Sequence, residues 1–140
     1  MEISDLLRHQ IVKRRMTQST GKVADAAINL WEPMATQIIS IIGEGGFNSL
    51  YVRSVFQTRI TFPWLAAGAL PPQAEQRFAG LKISLEKQIP AQASEANRLL
   101  LINFTDILAS LIGEVLTSSI LRSAWGNYAS DKAGMEFNNE

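Results

Sequence analysis

A chain of 140 residues, 46% apolar and 19% charged, fits one ordinary globular domain that is long enough to bury its own core. Thirteen basic residues balance thirteen acidic ones, so no net field draws the chain to nucleic acid or anionic lipid, and neither is expected as a partner. The lack of cysteine excludes disulfides, thiolate metal sites and thiol catalysis.

The opening MEISDLLRHQIVKRR has acids at Glu2 and Asp5, and its basic residues follow its apolar ones. That is the reverse of a secretory leader, and a cytoplasmic location is expected. Ser4 is placed to cap a first helix in which Ile3, Leu6, Leu7 and Ile11 keep helical spacing. Arg8, Lys13, Arg14 and Arg15 read as its solvated charges, and Asp5 with His9 as a surface pair at i, i+4. TQSTG, residues 17–21, breaks the helix. A second one is expected from about 23 to 42, either kinked at Pro33 or restarted there. Gly43, Gly45 and Gly46 then turn the chain, and a third helix runs from about 48 to 59, ending before Pro63.

AAGALPP is a connector, and Pro72 is suited to open a fourth helix whose stripe is Ala74, Phe78, Leu81 and Leu85. After Pro90 a long helix is expected over about 91–125. Its stretch from Leu99 to Leu121 is long enough to span a bilayer, but Asn103, Asp106 and Glu114 interrupt it. With Ser110, Gly113 and Thr117 these form a polar stripe on an otherwise apolar rod, which must be surrounded by other helices or by a second subunit. No strand pattern is present. The expected fold is an all-α, single-domain bundle of about five helices over 1–126, followed by a partly disordered tail, 127–140.

The stretch IGEGGFNSLYVRSVF, 42–56, shares its grammar with IGEVLTSSILRSAW, 112–125. At an offset of seventy, Ser40, Ile42, Gly43 and Glu44 match Ser110, Ile112, Gly113 and Glu114. One deleted residue later Arg53, Ser54 and Phe56 match Arg122, Ser123 and Trp125. A duplicated helix pair would set Glu44 against Arg122 and Glu114 against Arg53. Chance reuse of a small helical alphabet is the competing explanation, with Glu114 then a solvated carboxylate.

The glycines do not make a phosphate loop, because Phe47 and Asn48 stand where a Walker loop has lysine and serine or threonine. A hydrolase triad would depend on His9, the one histidine, and no G-x-S-x-G elbow accompanies it; a histidine-rich metal site cannot be assembled, and no catalytic residue, metal or cofactor is assigned. Tyr51, Trp64, Arg53 and Arg122 belong to the residue types enriched at interface hot spots. Trp64, beyond Pro63, is the expected exposed anchor, and Phe56 and Phe62 are expected in the core. The functional expectation is a non-enzymatic helical adaptor or regulator, homodimeric through its long helix, with an unidentified protein partner. The alternative is a sensor binding an anionic small molecule through Arg53 and Arg122 between the repeated helix pairs.

Overall fold

The computed structural model describes residues 8–12, 23–65 and 77–125. The expected breaker at 17–21, the opening of the fourth helix at Pro72 and the C-terminal tail lie outside them. The protein is an all-α helical bundle, with no strand among the described residues. α1 is described over residues 8–12, followed by α2 (Val23–Thr58), α3 (Ala79–Glu86), α4 (Pro90–Ile112) and α5 (Glu114–Ala124). No described helix is long and apolar enough to cross a membrane.

α2 crosses Pro33 without a break, and the one non-helical residue in it is Gly43, at φ 83° and ψ 166°. The chain therefore bends at a single residue, and Gly45 and Gly46 belong to the following helical arm rather than to a turn. The expected helix over 91–125 is interrupted in the same way. Gly113, at φ 98° and ψ 155°, ends α4, and Glu114 opens α5. Both conformations lie in a region open essentially to glycine alone, so each glycine is the physical cause of its corner. α3 opens at Ala79, because Arg77 and Phe78 form a turn ahead of it.

The first arm of α2 buries Ala27, Leu30, Trp31, Met34, Ala35 and Ile38, a helical stripe facing α4. α4 answers with Asn97, Leu100, Leu101, Phe104, Thr105 and Leu108. Each of these six lies seventy residues after its counterpart on α2. The register continues past the corners: Phe47, Leu50, Tyr51 and Val55 are buried, and so are Thr117, Ile120, Leu121 and Trp125. Burial thus keeps the offset of seventy through Trp125, and the deletion that aligned Arg53 with Arg122 has no counterpart in packing.

Between the two helix pairs lies an aromatic cluster. Trp31 meets Tyr51 and Phe104 edge-on at 5.3 Å each, and Phe47 packs against Phe104 at 5.3 Å and against Tyr51 at 6.0 Å. The Trp31 indole donates to Asn97 Oδ1 at 2.8 Å, and the Trp125 indole donates to the Leu30 carbonyl at 2.9 Å, so the polar edges of both rings are satisfied. The apolar face expected to make α4 a dimer helix is thereby used inside the chain; Leu108 is fully buried.

Candidate functional site

Two features follow from the corners. A carboxylate stands directly after each glycine, at the start of a helix where the dipole favours negative charge. Each takes an arginine from the opposite half of the chain. Arg77 Nη2 reaches Glu44 Oε2 at 2.7 Å. Arg8 grips Glu114 with Nε to Oε1 at 3.2 Å and Nη2 to Oε2 at 2.8 Å, while Nη1 holds Asp106 at 2.6 Å and Thr105 Oγ1 at 2.9 Å. The expected pairs, Glu44 with Arg122 and Glu114 with Arg53, are not formed; the partners are Arg77 and Arg8. Arg8, expected to be solvated, is 1% exposed.

Desolvation pulls the Arg8 pKa down, but the hydrogen bonds and charges of Glu114 and Asp106 outweigh it and hold the guanidinium above its ordinary range. Glu114 is accordingly a clamp residue rather than a solvated carboxylate. His9 Nε2 lies 2.8 Å from Asp106 Oδ1, so its partner is on α4; Asp5 lies outside the described residues. Thr117, read as part of the polar stripe, is fully buried, and Asn103 Nδ2 donates to Thr58 Oγ1 at 3.0 Å. Asn103, Asp106 and Glu114 of the stripe make contacts between helices, whereas Ser110 is exposed and its hydroxyl donates to the Ile107 carbonyl of its own helix. Among the described residues no group of three His, Asp or Glu side chains is placed to hold a metal ion.

The sequence-selected surface residues divide. Tyr51 is in the core, and its burial pushes the phenol pKa well above its ordinary value. Trp64 is half-buried and packs edge-on against Phe62 at 5.7 Å, both against the core rather than out into solvent. Arg53 and Arg122 are both exposed, on different elements. Phe56, expected inside, is the reverse case: it is 72% exposed.

Phe56 is the centre of a row. Val52 lies one turn before it, 39% exposed, and Ile60 one turn after it, 80% exposed. The helical path reaches Ile60, since the Arg59 N–H still donates to the Val55 carbonyl at 2.9 Å and the Ile60 N–H to the Gln57 carbonyl at 3.2 Å. Asn48, Ser49, Val52, Arg53 and Phe56 line an open groove of about 500 Å³ along this row. The Asn48 side-chain oxygen is buried there and meets no donor among the described residues. The four-residue spacing of Val52, Phe56 and Ile60 was visible in the sequence, but spacing alone does not say which helix face points inward.

The other half differs over the part of this face that α5 repeats. The positions seventy residues after Asn48, Ser49, Val52 and Arg53 are Ser118, Ser119, Arg122 and Ser123, all polar. α5 thus folds onto the same kind of corner with the same burial register, and its exposed apolar residues, Val115 and Leu116, lie at the corner itself. No protein-family model, curated protein or solved structure matches this chain.

Proposed function

We propose that this chain is a non-enzymatic helical adaptor that docks a partner helix on the outer face of the second arm of α2. The observation that carries the proposal is the row Val52, Phe56 and Ile60, exposed along one side of the second arm of α2, with an open groove lined by Asn48 and Arg53 beside it. Covering the exposed parts of these three side chains would contribute on the order of 4 kcal/mol of apolar burial, which the chain forgoes while the face stays open. Arg53, beside the row, forms no ion pair among the described residues and supplies orientation.

The homodimer is kept as a proposal on a different footing. With the apolar face of α4 inside the bundle, Leu111, Val115 and Leu116 around the Gly113 corner remain for a second copy. A sensor needs Arg53 and Arg122 on one cavity. Arg122 is not among the residues lining the groove beside Arg53, and the space between the helix pairs is filled by the aromatic cluster. The adaptor reading therefore has the better physical support.

Native mass spectrometry of protein purified gently from its own host tests it. The wild-type chain should carry a second protein, and Phe56→Ser, with an unchanged circular dichroism spectrum, should lose it. A partner retained by Phe56→Ser contradicts the assigned face. A small-molecule adduct lost on Arg53→Ala and on Arg122→Ala would favour the sensor instead.

A further inference from the structure

The docking face has a charge pattern that specifies its occupant, given that the adaptor reading above holds. On a helix of 3.6 residues per turn, Arg53 and Arg59 lie about 60° to either side of Phe56, so the apolar row has one arginine on each flank. Arg59 is steadied by the Pro63 carbonyl, which accepts from Nε and Nη2 at 3.4 Å each. Those are long contacts, and the third guanidinium nitrogen remains. From residue 45 to residue 65 the sequence has no aspartate or glutamate, so neither flank is neutralised locally.

We propose that the occupant is an acidic amphipathic helix: its apolar residues seat on Val52, Phe56 and Ile60, and carboxylates on both of its edges meet Arg53 and Arg59. The row spans nine residues, about 12 Å of rise from first to last, so a partner segment of two to three turns covers it. A single ridge of side chains at four-residue spacing fits the groove between side-chain rows of another helix, whereas a lipid surface is met best by a broad apolar face. A second copy is disfavoured by charge. Two of these faces laid together bring four arginines to one seam with no carboxylate between them, an arrangement that costs rather than stabilises. The carboxylates of an acidic helix also add to encounter rate and fix which way the helix lies.

The test uses the full chain and two labelled synthetic helical peptides. Both carry leucines at i, i+4 and i+7; one has glutamates on both edges of that stripe and the other lysines. Fluorescence anisotropy should show the glutamate peptide binding about tenfold or more tightly than the lysine peptide at low salt, with the difference shrinking as salt rises. The double variant Arg53→Glu/Arg59→Glu, checked for fold by circular dichroism, should invert that order, and Phe56→Ser should abolish binding of both.

Equal binding of the two peptides, lost on Phe56→Ser, would keep the docking face and overturn the acidic partner. If neither peptide binds and sedimentation shows a dimer that Phe56→Ser dissociates, the occupant is a second copy and the proposal fails. Binding to anionic phosphatidylserine vesicles but to neither peptide would overturn it in favour of a membrane. A monomer that binds none of these probes would overturn both the acidic partner and the adaptor reading beneath it.

Discussion

Replacing Arg8 by methionine removes the clamp between α1 and the α4–α5 corner while keeping most of the side-chain volume. In the folded chain it leaves Glu114 and Asp106 facing one another without the guanidinium that holds both. Breaking a fully buried ion pair costs about 3–5 kcal/mol. Here the arginine is buried, but the Glu114 side chain is 18% exposed and that of Asp106 45%, so water recovers part of the loss. A cost of about 2–3 kcal/mol is expected, lowering the melting temperature of a chain this size by roughly 6–12 °C. Arg77→Met is the internal comparison. Arg77 makes one ion-pair contact, to a Glu44 side chain that is 54% exposed, and its loss should cost about 1 kcal/mol. The assay is urea unfolding followed by far-UV circular dichroism, with Glu114→Gln and Glu44→Gln completing two double-mutant cycles. The Arg8–Glu114 coupling should exceed the Arg77–Glu44 coupling by at least twofold. Equal costs for the two arginines, or additive effects of Arg8→Met and Glu114→Gln, would refute the reasoning.

The glycines give opposite expectations at neighbouring positions. Gly43→Ala and Gly113→Ala should each destabilise the fold by about 1–3 kcal/mol, because their conformations exclude a side chain. Gly45→Ala should stabilise it by about 0.5–1 kcal/mol, since Gly45 is helical and an added methyl would touch nothing within 4 Å; urea midpoints for the three variants decide this. Leu108→Ala should cost about 2–5 kcal/mol and leave the subunit count unchanged, as read by sedimentation, because Leu108 packs within one chain. Tyr51 gives a pH dependence. Its folded pKa is raised, so its contribution to stability is present below the unfolded value of about 10 and is lost as pH rises above it. Unfolding free energy should fall more steeply above pH 10 for wild type than for Tyr51→Phe, and parallel curves would show that the buried phenol is not the cause.

Much of the fold was legible because helical periodicity survives in single stretches. Ala27 to Ile38 and Leu100 to Leu108 each carry the i, i+3, i+4 pattern, and they became the central helix pair. The corners were half legible. Glycine marked both, but in Gly43-Glu-Gly-Gly it could not be said which glycine bends the chain. Only the first adopts the special conformation. In the second copy the apolar run from Leu99 to Leu121 concealed the break at Gly113. The repeat itself could be seen in four identities, yet its arginine partners could not. Arg8 and Arg77 lie far along the chain from the carboxylates they meet, and nothing local distinguishes a buried arginine from a solvated one. Phe56 and Tyr51 changed places for a related reason. Both are aromatic and lie five residues apart on one helix, and only the neighbouring helices determine which of them faces inward.

Site-specific photo-crosslinking in the native host tests the docking face of α2. A benzophenone side chain is placed in turn at Val52, at Ile60 and at the exposed polar position Ser119 on α5. Adducts to one and the same protein are expected from Val52 and Ile60, and none from Ser119. Adducts from Ser119 equal to those from Val52, or none from the α2 face while a site at Val115 gives them, would contradict the assigned face.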